Sequence, residues 1–185
     1  RGKVLGGSSA INGQTFIRGA PEDFDTWASW GNDEWSYIKV LPYFRQIEND
    51  DDFRDDFHGT NGPIPVRRHK REDWPPLQEA FYQACVSAGY PYNPDNHDPD
   101  ATGVSLRAEN NVDGVRMSMA ITHIEPNRNR LNLTIKANVQ VMRIVLSGNV
   151  ATGLEVESGG ERFLVEGEQI TLCAGAVGSP QLLML

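Results

Sequence analysis

An α/β fold interrupted by an α+β insertion is what this 185-residue sequence predicts, and three stretches carry the expectation. The opening, residues 1–13, holds four glycines, two serines and Asn12, so it exposes backbone rather than side chains. Consecutive glycines permit φ > 0 and a close approach of main-chain N–H groups to a flat or phosphorylated ligand, although such a cluster alone is more often an ordinary turn. From Asn132 onward, short β-rich runs alternate with Ser147-Gly148-Asn149 and Ser158-Gly159-Gly160, which are hairpin signals. Finally, Gln169 to Cys173 is apolar without a polar face and runs into Ala174-Gly175, the pattern of a buried parallel strand before a ligand turn.

The elements follow in order. Pro21 to Trp30 has proline and acids at its start and Gly31 after it, which predicts a short helix. Ser36 is placed to cap a second helix from Tyr37, with Trp35 and Val40 as a hydrophobic staple and Pro42 as a kink. Asp50-Asp51-Asp52 predicts a charged loop, and Ile64 to Arg67 a short alternating strand. Pro75-Pro76 opens a helix whose Leu77, Phe81, Ala84 and Ala88 recur on one face before Gly89, a face expected to pack on a sheet. Residues 90–103 are too rich in Pro, Asn and Asp for regular structure and are expected to cover something. The strands expected beyond are Leu133 to Ile135, Val139 to Leu146, Ala151 to Val156 and Arg162 to Val165.

Composition excludes several functions. The net charge of −8 argues against nucleic acid, whose phosphates require a clustered excess of Lys and Arg. The one basic run, Arg67 to Arg71, is expected to be solvated surface. No apolar run approaches the ~20 residues that span a bilayer, so a soluble chain is expected, with the cytoplasm as the default compartment. Cys85 and Cys173 lie in apolar patterns and are expected to be buried thiols. No metal site is expected: Asp98, Asp100 and Gly103 resemble part of a calcium loop but lack its terminal glutamate and are interrupted by Pro99. His58, His69, His97 and His123 are expected to be structural or solvated, and Asn132-Leu133-Thr134 is a sequon within a predicted strand.

The run Gly2-Lys3-Val4-Leu5-Gly6-Gly7-Ser8-Ser9-Ala10-Ile11-Asn12, followed by Phe16, Gly19 and Asp25, closely resembles the first signature of the glucose-methanol-choline (GMC) family of FAD-dependent oxidoreductases. The resemblance continues through Trp27, Trp35-Ser36-Tyr37, Leu41-Pro42-Tyr43-Phe44 and His58-Gly59-Thr60-Asn61-Gly62-Pro63. Residues 175–183 resemble the first part of the family's second signature. The family's G-x-G-x-x-G fingerprint for the FAD pyrophosphate has no counterpart here and is expected upstream. Its catalytic histidine, with a His or Asn partner, is expected after Leu185, so no residue of this chain is assigned as catalytic. The chain is therefore expected to be an internal piece of a choline-dehydrogenase-like enzyme, inactive alone.

The resemblance implies part of an FAD/NAD(P)-binding, Rossmann-like domain plus part of the family's substrate-binding domain. Residues 1–66 would be an FAD-contacting segment and lid, 67–131 a portion of the substrate domain, and 132–185 a β-rich return into the FAD-binding domain. It also implies that Gly7, Ser8, Asn12, Gly13 and Thr15 lie along the flavin, Val141 at the adenine, and Ala174 and Gly175 near the adenosine portion. Ile11 occupies the position where some members carry a histidine bonded to the flavin, which implies non-covalent FAD. The activity implied is hydride transfer from a small-molecule alcohol to flavin N5, with the electron acceptor open. Two alternatives stay open: the same fold working as a cyanohydrin lyase, and a non-catalytic nucleotide-binding module.

Overall fold

The computed structural model describes residues 1–185, which divide into two compact units, Arg1–Arg130 and Leu131–Leu185. No helix is long and apolar enough to cross a membrane.

In the first unit, α1 (Pro21–Ser29) and α2 (Tyr37–Ile47) form where the caps and periodicity place them. Asp23 accepts the Ala20 N–H at 3.0 Å at the start of α1, and Gly31, at φ 94°, follows its end. The cap of α2 differs from expectation. The Ser36 side chain makes no capping bond; Asp25, on α1, accepts the Tyr37 N–H at 2.9 Å instead. Trp35 sits edge-on to Trp27 at 5.7 Å. Phe24 is the buried pivot between the helices, 5.6 Å from Trp27, 6.3 Å from Tyr37 and 5.5 Å from Phe44. The helix continues through Pro42 to Ile47.

Behind these helices, β1 (Glu48–Asp50) pairs in parallel with β2 (Ile64–Arg68). Next come α3 (Pro76–Ser87), then β3 (Tyr92–Asn93) paired in parallel with β4 (Val104–Ser105), then β5 (Ala108–Glu109) antiparallel to β2. A tight hairpin joins β6 (Asn111–Val112) to β7 (Val115–Arg116), with Asp113 and Gly114 both at positive φ. A π-helical turn, Ala120–Ile124, then runs into α4 (Glu125–Asn127). Ile64, Val66 and Ala108 form the core of the small β1-β2-β5 sheet, with Phe16 and Met119 packed against it.

Three expectations for this unit are corrected. Asp50 belongs to β1 and is fully buried rather than part of a charged loop. Arg68, from the basic run, is buried too. Helix α3 does lie against the β3-β4 pair, but not by the expected stripe: it buries none of its residues, and Leu77 and Phe81 face outward at 82% and 66% exposure. Its Tyr82 packs edge-on to Trp74 and Tyr92 and lies under the Arg71 guanidinium.

The second unit is an antiparallel meander of β8 (Gln140–Ser147), β9 (Val150–Ser158) and β10 (Glu161–Glu166), with α5 (Gly175–Met184) against β8. Gly159 and Gly160, both at positive φ, make the second turn. Gly153 is required in β9, because a Cβ there would lie 2.7 Å from the Val165 carbonyl oxygen. The strands expected at 133–135 and 169–173 do not form. Both runs have strand-like composition, but a strand exists through its ladder and neither has a pairing partner in this unit. Cys173 is consequently exposed and Cys85 half-buried, not the two buried thiols expected, and the Asn132 sequon lies outside any strand.

Candidate functional site

The glycine-rich opening folds as a turn followed by one 3-10 turn, Gly7–Ala10. The Gly7 N–H donates to Val4 O at 2.8 Å, and Ser8 O accepts from Ile11 and Asn12 N–H at 3.2 and 2.9 Å. Gly6 and Gly7 stand at φ 86° and 58°, where side chains are disfavoured. The glycines divide into two kinds. A Cβ on Gly2 would lie 2.4 Å from Gly7 O, and one on Gly6 3.0 Å from Ala120 N, so these two permit the coil to close and to seat on the π-helical turn. Around Gly7 and Gly13 a Cβ would meet nothing within 4 Å, so the coil presents an open backbone face there.

The segment is anchored from one side only. Ser9 Oγ donates to Gly6 O at 2.5 Å and accepts the Met119 N–H at 2.9 Å. Thr15 bridges Glu109 in antiparallel fashion, and the Phe16 N–H donates to Ala108 O at 2.9 Å, so the end of the segment extends the β5 edge. Asn12 Oδ1 accepts the Gln14 N–H at 3.1 Å and Arg116 Nη1 at 2.9 Å. Gly7, Ser8, Asn12, Gly13 and Thr15 thus lie along one continuous strip of the first unit. Val141, Ala174 and Gly175 lie in the second: Val141 half-buried in β8 opposite Val156, Ala174 as the cap of α5, and Gly175 at φ 84°. The Ala174 N–H donates to Ser179 Oγ at 3.0 Å, which closes that turn.

A buried ionic network beneath the strip was not legible in the sequence. Arg68 Nη1 binds both oxygens of Asp50 at 3.0 and 2.9 Å, and its Nη2 binds Asp95 at 2.8 Å. Arg18 pairs with the fully buried Glu48 at 2.5 Å and donates to Phe57 O at 2.7 Å. His58 Nδ1 meets Asp55 at 2.8 Å and its Nε2 lies 3.3 Å from Asp95. His97, in the 90–103 loop, is buried, stacks 6.0 Å from His58 and has Nε2 3.0 Å from Phe16 O. The network therefore ties the 51–63 and 90–103 loops to the sheet and to the residue that ends the glycine-rich strip. Alternation along Glu48-Asn49-Asp50, which places two acids on one strand face, was the single local signal of it.

The two histidines are shifted in opposite directions. Burial pushes His58 down, but its bonds to Asp95 and Asp55 outweigh this and raise it above the ordinary 6.5. Burial pushes His97 down to about 4, helped by the Arg18 and Arg68 charges, so this ring is neutral and donates its Nε2–H to Phe16. Burial opposes the charge of Asp95 as well, yet His58, the His97 N–H and Arg68 bring it down to about 2. The ligating atoms of Asp50, His58 and His97 lie within 4.8 Å of one another. Arg68, bound to both oxygens of Asp50, already supplies the positive charge that a cation would bring there.

This arrangement sets a pH dependence. The stability contributed by His58 is complete below its unfolded value of 6.5 and is lost as pH rises through the higher folded value. That contributed by Asp95 is complete above its unfolded 3.8 and is lost as pH falls toward about 2. His97, held neutral down to about 4, adds a loss of stability as pH falls below its unfolded 6.5, so the denaturation midpoint of the first unit is expected to be highest near pH 6.5 and to decline on both sides, with His58→Gln removing the alkaline decline. A parent midpoint that stays level from about pH 6 to about pH 9 would show that His58 is not protonated in the fold.

Comparison with known proteins places these features in context. A family model described as GMC oxidoreductase matches residues 1–185. The chain is 41% identical over 184 residues to an uncharacterised GMC-type oxidoreductase of Rhodococcus erythropolis, covering 100% of this chain and 36% of that protein. It is 38% identical over 197 residues to an oxygen-dependent choline dehydrogenase of Staphylococcus saprophyticus, covering 100% of this chain and 33% of the other. Among solved structures, pyridoxine 4-oxidase from Mesorbium loti superposes with a TM-score of 0.92 at 36% identity, over 100% of this chain and 36% of that one. An FAD-dependent oxidoreductase from Chaetomium thermophilum gives 0.89 at 26%, over 97% and 34%. The chain spans about a third of the length of the curated relatives it matches.

Proposed function

Because the chain belongs to the GMC oxidoreductase family, we propose that the polypeptide carrying it is an FAD-dependent oxidoreductase acting on the CH–OH group of a small-molecule alcohol. The observation that carries the reading is the family match over all 185 residues, which includes the whole glycine-rich strip. Relatives named as choline dehydrogenase and pyridoxine 4-oxidase support a small polar alcohol as substrate. The helix-and-strand architecture and its likeness to FAD-binding neighbours support a Rossmann-like FAD-binding portion.

In this reading, Gly7, Ser8, Asn12, Gly13 and Thr15 hold the flavin portion, and Val141, Ala174 and Gly175 hold the adenosine portion. The fit rests on shape and on donors. The open backbone around Gly7 and Gly13 admits a flat ring, and the Asn12 amide nitrogen takes no part in the bonds that anchor its oxygen. FAD, when bound, supplies the acceptor for the substrate hydride. Ile11, a hydrocarbon side chain more than half exposed, offers no atom to bond the flavin, so the cofactor is held without a covalent link. Of the four histidines, the two in the buried network are poor candidates for the base: His58 is locked between two carboxylates, and His97 is buried and spends its N–H on Phe16. We assign the base to a residue elsewhere in the polypeptide.

The test is spectroscopic. The intact polypeptide, purified and made anaerobic, is expected to show flavin absorption that bleaches on adding choline, pyridoxine or simple primary alcohols in turn. Acid precipitation is expected to release FAD into the supernatant. Admission of oxygen then identifies the acceptor by the return of colour. A colourless polypeptide that cannot be reconstituted with FAD overturns the reading, and a flavin that no alcohol reduces favours the lyase alternative.

A further inference from the structure

We propose that Arg116 is a positioning residue for the flavin, acting through Asn12; the assignment rests on the reading above. Arg116 Nη1 donates both to Asn12 O and, at 2.9 Å, to Asn12 Oδ1. The same Oδ1 accepts the Gln14 N–H at 3.1 Å, so both lone pairs of the side-chain oxygen are in use. This settles the amide orientation, because the flipped side chain would set its NH2 against two donors. The free end of Asn12 is therefore its NH2 group, on the residue next to the open position of Gly13.

The hairpin that carries Arg116 is itself braced. It lies directly opposite Asn111 in the β6–β7 hairpin, whose two-residue turn is closed by Asp113 at φ 50° and Gly114 at φ 80°. Asn111 Oδ1 accepts Arg67 Nη2 at 2.9 Å and the Gly114 N–H at 2.9 Å, while its Nδ2 donates to Gln14 Oε1 at 2.5 Å. Gln14 needs that support, since it is a non-glycine residue at φ 63°. The hairpin thus grips the strip at two successive points, Asn12 from Arg116 and Gln14 from Asn111. A loop of glycines has no rigidity of its own, and these contacts supply it.

The consequence for a bound flavin is electronic as well as steric. A charge-assisted hydrogen bond to an amide oxygen draws electron density from its nitrogen, which strengthens the N–H groups as donors. A flavin ring that accepts a hydride gains negative charge, and a preset donor stabilises the reduced form more than the oxidised form. Arg116 touches no part of the ring in this account.

The experiment uses the intact FAD-loaded polypeptide and reads the equilibrium between oxidised and reduced flavin against a reference dye, with no turnover required. Arg116→Met is expected to shift that equilibrium about tenfold toward the oxidised form, which for a two-electron couple is about 30 mV. The affinity for oxidised FAD should change by less than about threefold. Asn12→Ala should shift the equilibrium by the same factor, and the double variant should add nothing to either. An Arg116→Met equilibrium within about twofold of the parent, or an additive double variant, overturns the assignment. If Arg116→Met fails to fold or to load FAD, Arg116→Lys decides. It keeps the charge but not the reach to both oxygens, so a shift of about threefold in the same direction supports the proposal, and one within about twofold overturns it. A parent polypeptide that binds no FAD overturns the flavoenzyme reading itself, visibly and before any variant is made.

Discussion

Replacing Arg68 with alanine is expected to cost about 3–5 kcal/mol of stability, enough to unfold the first unit near physiological temperature. The guanidinium, 3% exposed, grips both oxygens of Asp50 and one of Asp95, and its plane lies 4.5 Å over the Phe53 ring. Asp50 is fully buried, and without Arg68 its nearest positive group is His58 Nε2 at 3.9 Å. Left with the Asp52 and Phe53 N–H groups on Oδ1 and no guanidinium, the buried carboxylate must take up a proton or draw in water, and either disrupts the loops that the network joins. Lysine will not substitute, because one ammonium cannot reproduce the fork that spans two carboxylates. Chemical denaturation of the intact polypeptide, monitored by tryptophan fluorescence, measures the loss. The loss should shrink when Asp50→Asn accompanies Arg68→Met, since the pair then leaves no orphaned charge. A single-variant loss below about 1 kcal/mol would mean that the network is solvated and contributes little.

Gly59→Ala is expected to be nearly as damaging, by about 3 kcal/mol or more, through overpacking against backbone. A Cβ at this position would lie 1.8 Å from Arg45 O and 2.7 Å from Glu48 O, atoms that cannot rotate away. The loop would have to lift off, losing the 2.8 Å bond from the Gly59 N–H to Glu48 and the 2.8 Å bond from Asp50 N–H to Gly59 O. Faster cleavage by protease within residues 51–63 should accompany the drop in melting temperature. Gly167→Ala is the control, its Cβ position meeting only Gln169 O at an ordinary 3.6 Å. Equal melting temperatures for Gly59→Ala and the parent would show that the loop has another seat.

The same residues show why parts of the molecule were readable in advance. Helix α1 announces itself through proline and acids at its start and glycine after its end, and α2 through Ser36 and the apolar periodicity that follows, signals that act over three or four residues. The β8-β9-β10 meander does so through alternation and the Gly148 and Gly159-Gly160 turns. Even there, the cap of α2 came from Asp25, twelve residues away, because any acceptor that reaches the orphan N–H will serve. The buried network lay wholly outside local reach. Asp50, Arg68 and Asp95 each sit in charged, solvent-like sequence, and they enter the interior because 18 to 27 residues of chain separate partners that meet in space.

Taken by itself, the sequence determined the family, the glycine-rich strip and the β8-β9-β10 hairpins, since all of these are written in short-range residue patterns. The tertiary structure decided which charges are buried, that residues 169–173 find no ladder, and that Arg116 closes on Asn12 across 104 residues of chain. The physical reason is common to all three. Burial of a charge, pairing of a strand and the hold on a flexible loop each depend on a partner, and a partner distant in the chain leaves no mark on the residues beside it.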